Sequence, residues 1–233
     1  MTRYVRLAGV AVLLMLVAAA LIFFYAPEDY LQGVSQRIFY LHVSSAIAAF
    51  SSFGVVLVGS VVYLRNGSVT ADRVARAAAL VGVVLTTVTL VMGMLWAKPI
   101  WGTFWTWDAR PTSTLVLWMI YVGYLLLRRL AEPGHQAARW AAIVGIFGFI
   151  DVPIVYFSVT WWRTVHPGPV ILTDALPPEM LLTFLVTMAC TLFLTVVMIA
   201  IRYRIEVLLD EAPSPAMAPA PLVAAQREPE PAR

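Results

Sequence analysis

Charge is what this chain has least of. Asp, Glu, Lys and Arg make up 12% of its 233 residues, about half the share of an ordinary soluble domain. A globule facing water on all sides is therefore excluded. The basic residues form no stripe interleaved with polar groups, so nucleic acid is excluded as a partner. Cysteine is almost absent: Cys190 is the only copy and lies in an apolar run, which rules out an intrachain disulfide and every Cys-x-x-Cys motif. Histidine is scarce too, with His42, His135 and His166 as the full set.

What remains is apolar. Hydrophobic residues fill 61% of the chain, and a spanning helix needs about 20 such residues in a row. Apolar runs separated by charge predict an all-α integral membrane protein with six spans, over 7–26, 42–64, 77–97, 112–128, 140–159 and 180–201. Arg3 and Arg6 precede the first run as they would in a signal peptide. Its length, however, exceeds the usual 7–15-residue signal core, and the run is read as a retained span. Cys190, Met92, Met94 and Met188 read as packing residues of the spans.

Orientation follows from the cations. One set of segments holds Arg3, Arg6, Arg65, Arg73, Arg76, Arg128, Arg129, Arg139, Arg202 and Arg204, whereas the other holds Arg37, Lys98, Arg110 and Arg163. Ten against four predicts that both termini are cytoplasmic and that loops 27–41, 98–111 and 160–179 lie outside. Residues 1–206 then form one membrane domain. The tail 207–233, rich in Pro, Ala and Glu, reads as disordered.

The outer loops share one chemistry. The first ends SQRIFYLHVSSA and brings Arg37 and His42 to the start of the second span. The second, WGTFWTWDARPTS, carries Trp101, Gly102, Phe104, Trp105, Trp107, Asp108 and Arg110. The third, SVTWWRTVHPGP, carries Trp161, Trp162, Arg163 and His166, the last in a turn set by Pro167, Gly168 and Pro169. Five of the eight tryptophans fall in two outer loops, a polarity that a belt on both membrane faces does not explain. Two imidazoles, several indoles and a few guanidiniums suit haem. Imidazoles fill the axial positions of its iron, indoles stack on the porphyrin, and Arg or indole N–H groups meet the propionates. A bare zinc or copper ion would want more ligands and no tryptophan.

The pattern W-G-x-x-W-x-W-D, here Trp101, Gly102, Trp105, Trp107 and Asp108, resembles the tryptophan-rich signature of the membrane proteins that handle haem in cytochrome c biogenesis. Within them, six spans and one histidine in each flanking outer loop resemble the haem exporter protein C family, as do RIFYLHV, KPIWGTFWTWDAR, DVPIVYFSV and WWRTVH. The resemblance covers the chain except its tail. It implies non-covalent haem b held at the periplasmic face of a bacterial inner membrane, with His42 and His166 as axial ligands. It also implies transfer of that haem to a membrane-anchored periplasmic haem chaperone. The partners implied are the ATPase and membrane subunits of an ABC-type complex and a small single-span accessory protein. The chain departs from the family pattern at Ser44, where a proline is common, at Pro111 in place of leucine, and at Thr114 in place of glutamate. Pro111 is expected to shift the start of the fourth span.

Asp108 is expected to orient its loop rather than touch iron. Arg37, Arg110 and Arg163 are each read either as propionate partners or as contacts to lipid phosphate. Asp151, in GFIDVPIVYF, costs about 2.5–3.5 kcal/mol at mid-span depth. It is read as satisfying the backbone defect made by Pro153, with docking or haem entry as the alternative. His135 reads as solvated. Two rival classes remain: a haem b electron-transfer subunit, which would set its histidines within spans rather than at loop edges, and a transmembrane haem permease, which would need a polar path. An enzyme is the weakest reading, because no nucleophile, acid–base pair and oxyanion group converge.

Overall fold

The computed structural model describes residues 2–131, 134–168 and 176–211. It contains six helices long and apolar enough to cross a membrane: α1 (Thr2–Ala20, continued by a π-turn, Leu21–Tyr25), α2 (Ile38–Asn66), α3 (Val69–Trp101), α4 (Ala109–Leu130), α5 (His135–Trp161) and α6 (Pro178–Glu211). A 3₁₀ turn, Val34–Arg37, leads into α2. The fold is all-α, as expected; the last five predicted apolar runs each fall within one helix, and the first, 7–26, covers α1 and its π-turn and ends one residue beyond them at Ala26.

The helices outrun those apolar runs, because capping rather than hydropathy decides where they end. α3 continues through Trp101 and stops at Gly102. There φ is +75°, a left-handed conformation that glycine adopts without the Cβ penalty. The Gly102 N–H donates to the Lys98 carbonyl, and the Lys98 ammonium reaches back to the Gly102 carbonyl at 2.9 Å. Pro111 does not delay α4. The helix starts at Ala109, so Pro111 falls in the first turn, where a backbone N–H has no intrahelical acceptor to lose. α6 runs past position 206 to Glu211, so residues 207–211 of the expected tail are helical. Residues 212–233 lie outside the described residues.

α2 is the central helix, packed on α3, α5 and α6. α4 pairs with α5 and also touches α3, and α1 is carried on α6. Close approach is made by small residues: a Cβ at Gly59 of α2 would lie 2.9 Å from the Ala71 carbonyl oxygen and 3.1 Å from the Ala75 Cβ of α3. The centre is filled by Phe53 of α2 and Tyr121 of α4, whose rings stack at 3.7 Å. The Tyr121 hydroxyl donates to the Gly145 carbonyl. α6 buries a ladder of threonines at every fourth position, Thr183, Thr187, Thr191 and Thr195. Each hydroxyl donates to the carbonyl one turn earlier at 2.7–2.8 Å, so none is left unsatisfied among apolar neighbours.

One end of the bundle is closed by ion pairs. Arg76 of α3 meets Asp72, Glu206 and Asp210, at 3.5, 2.9 and 3.0 Å. Arg128 of α4 meets Asp72 at 2.9 Å, Arg73 meets Asp210 at 2.8 Å, and Arg202 also pairs with Glu206. Nearby, the Tyr63 hydroxyl lies 3.2 Å from Nδ1 of the exposed His135, so that residue has a protein partner as well as solvent. The opposite end holds the cavity.

Candidate functional site

A cavity of about 380 Å³ opens among α2, α3, the start of α4, the end of α5 and the turn after it, within the size range of small-molecule sites. His42, Trp101, Trp105, Asp108, Arg110 and His166 all line it. Three separate expected loops thus converge on one space.

His42 lies inside α2, one turn past its start, and not at a loop edge as expected. Its ring rests against α3 because Gly93 has no side chain there; a Cβ at that position would come 2.9 Å from Cε1 of the imidazole. Nδ1 is 2.9 Å from the Thr89 carbonyl oxygen, which assigns the ring proton to Nδ1 and leaves the Nε2 lone pair free. A carbonyl on the far nitrogen is the usual way a protein orients a metal-binding imidazole. Trp96 packs edge-on to the ring, at 5.8 Å between centroids, and its indole N–H donates to Gln32.

His166 occupies a turn after α5. Its Nδ1 lies 3.1 Å from the Pro167 carbonyl, so here too Nε2 is the free nitrogen. Burial pushes the His166 imidazole below the usual histidine range. The Pro167 carbonyl opposes that shift, and the Arg110 guanidinium adds to it. The neutral, ligating form is therefore favoured. The His166 and His42 ring centroids are 6.4 Å apart. With metal–nitrogen bonds of about 2.0–2.1 Å, two imidazoles on opposite sides of one ion would have centroids roughly 6–6.5 Å apart. Among the described residues the pair belongs to no larger group of His, Cys, Asp or Glu able to hold a bare ion.

Asp108 stands at the N-cap position of α4 but makes no side-chain cap. Its carboxylate instead accepts a hydrogen bond from the Thr164 hydroxyl, and Thr164 Oγ1 accepts the His166 backbone N–H at 3.0 Å. Arg110 donates to the Tyr156 carbonyl at 2.8 Å, and its Nε is buried without a partner. The Trp105 indole N–H is likewise buried and unpartnered. Both residues line the cavity, and each keeps a buried donor without a partner, which costs about 1–3 kcal/mol.

The other expected residues stand elsewhere. Arg37 is near Glu28, at 3.9 Å, with its guanidinium over the Phe23 ring. Trp162 and Arg163 line a separate shallow pocket that shares Asp108 and His166 with the cavity. Trp161 stacks on Phe157, outside both, and Trp107 is 81% exposed. Gly102 acts through the α3 terminus. Met94, expected to pack, lines the cavity, as do Trp96, Thr89 and Gly93. Asp151 makes no hydrogen bond among the described residues, and its Oδ2 is buried and unpartnered, so it does not satisfy the defect at Pro153. Pro169, and with it residues 169–175 of the third loop, lies outside the described residues.

A family model described as Heme exporter protein C matches residues 2–218. The chain belongs to the haem exporter protein C family. A relative of that name from Bradyrhizobium diazoefficiens is 42% identical over 141 residues, which is 60% of this chain and 54% of that protein. The family member from Escherichia coli K12 is 37% identical over 193 residues, covering 83% and 79% of the two chains. A protein from Marchantia polymorpha, named as a putative cytochrome c biosynthesis ccmC-like mitochondrial protein, is 38% identical over 165 residues, or 70% of each. Membership agrees with the resemblance carried by Trp101, Gly102, Trp105, Trp107 and Asp108.

Proposed function

We propose that this chain handles haem for cytochrome c maturation, binding haem b non-covalently between His42 and His166. The observation that carries the reading is the pair of imidazoles, 6.4 Å apart, each with Nδ1 engaged by a backbone carbonyl, in a cavity walled by Trp101 and Trp105. Trp105 Nε1 and Arg110 Nε, both without partners, are the propionate donors. Arg110 lines the cavity whereas Arg37 and Arg163 do not, which favours Arg110 for that role.

The excess of arginine at the ion-paired end supports a cytoplasmic position for that end and a periplasmic one for the cavity. From there haem passes to a membrane-anchored haem chaperone. An ABC-type ATPase with its membrane subunits and a small single-span protein serve as partners. No covalent step is involved; ligation and release suffice. A through-membrane permease is the weaker reading, because the Phe53–Tyr121 stack fills the bundle beneath the cavity floor at Phe50 and Thr86. The electron-transfer reading gains from the seat of His42 within a span, yet His166 stands in a turn outside the helices.

The test is the visible spectrum of the purified protein with haem, repeated for His42→Ala and His166→Ala. The parent should show two imidazole ligands, and each variant should lose one. Unchanged coordination in both variants would remove the haem site. Reversible electron exchange without transfer to a chaperone would instead support the electron-transfer class.

A further inference from the structure

The two imidazoles are held by unlike means. His42 sits on a long helix, wedged against the α3 backbone and bonded to its carbonyl. The turn bearing His166 is tied across the site by a chain of two hydrogen bonds: the His166 N–H donates to Thr164 Oγ1, and the Thr164 hydroxyl donates to Asp108 Oδ2. We propose that Thr164 is the positioning residue for His166, and that this link makes His166 the releasable ligand of the pair and His42 the fixed one. The inference rests on the haem reading of the cavity and adds an order of events to it.

The chemistry requires a hydroxyl. Only a group that donates and accepts at once can stand between a carboxylate and an amide N–H, and a hydroxyl has one donor and two lone pairs. The bond to Asp108 is charge-assisted, and neighbouring bonds in a chain polarise and strengthen one another. Asp108 thereby joins the tryptophan loop to the His166 turn, and its failure to cap α4 is explained by that commitment. Breaking the Thr164–Asp108 bond removes this tie from the turn and leaves the His42 seat untouched. A carrier that must hold its cargo and then surrender it needs one ligand of each kind.

The experiment uses the full chain in detergent, loaded with haemin. It compares the parent with Thr164→Val, Thr164→Ser, His166→Ala and the double variant Thr164→Val/His166→Ala. Thr164→Val should shift the spectrum from two imidazole ligands towards one. It should also speed haem loss to excess apomyoglobin by about tenfold, the scale of a lost bond to a charged group. Thr164→Ser should stay within about twofold of the parent. The double variant should match His166→Ala, because Thr164 acts only through that residue. A parent-like spectrum in Thr164→Val overturns the inference, as does a double variant that loses haem faster than His166→Ala. Unchanged coordination in His166→Ala alone overturns this inference, whereas the haem reading falls only if His42→Ala is unchanged as well.

Discussion

Gly93 of α3 sets the position of the His42 imidazole: an added methyl would lie 2.9 Å from Cε1 and 3.3 Å from Nδ1. Neither atom can yield freely, because Nδ1 is bonded to Thr89 on the same helix. Thr89 is fixed in turn by Ser45, whose hydroxyl lies 2.9 Å from that of Thr89. Gly93→Ala is therefore expected to lower haem affinity about tenfold or more, since overpacking costs about 1–3 kcal/mol and here falls on a proposed ligand. Haem titration followed by absorbance measures it. Parent affinity in a folded Gly93→Ala protein would remove Gly93 from the site.

The tryptophans should separate by burial. The Trp105 indole N–H is enclosed and unpaired, whereas Trp107 is 81% exposed. Trp105→Phe keeps the apolar ring and deletes the donor. It should cost about 1.5–3 kcal/mol of haem binding, the range for a hydrogen bond to a charged group, or roughly tenfold or more in affinity. Trp107→Phe should stay within about twofold. Equal effects at the two positions would count against the propionate role of Trp105.

Much of this was legible in the chain, and the limits were physical. Six spans could be read because the length of an apolar run is a local property. The polarity of the tryptophans, and His42 and His166 at one end, followed from loop order alone. The seat of His42 was not legible, because it depends on how closely α3 approaches at Gly93. Nor was the choice among Arg37, Arg110 and Arg163, since all three sit in loops or helix starts of similar composition. Only the fold puts Arg110 on the cavity wall and Arg37 beside Glu28. Thr164 carries no sequence signal. It acts through Asp108, 56 positions away.

Titration of His166 has a definite sign. Its neutral form is favoured by burial in the folded chain, so it should take up a proton only below the ordinary value of about 6.5. The unfolded chain accepts that proton first. This residue's contribution therefore leaves stability undiminished above about pH 6.5 and reduces it as pH falls from there through the folded value. In haem-free protein, the His166 ring resonance followed by NMR should titrate below pH 6.5. A midpoint at or above that value would contradict the burial of the ring.

At the far end, Glu206 is buried and shared by Arg76 of α3 and Arg202 of its own helix. Removing a carboxylate from such a site leaves guanidinium charge uncompensated in a dry environment, which costs about 3–5 kcal/mol. Glu206→Ala should fall at the lower end, near 3 kcal/mol, because Arg76 keeps Asp72 and Asp210. The fall should be visible as earlier thermal unfolding in detergent. Haem coordination should be unchanged in the protein that remains folded, because the ion pairs lie at the opposite end of α3 from Thr89, Gly93 and Trp101. A variant that unfolds early yet binds haem normally would separate the clamp that holds the bundle from the cavity that holds the ligand. A shifted haem spectrum would instead show that the ion pairs set the tilt of α3, and through it the position of His42.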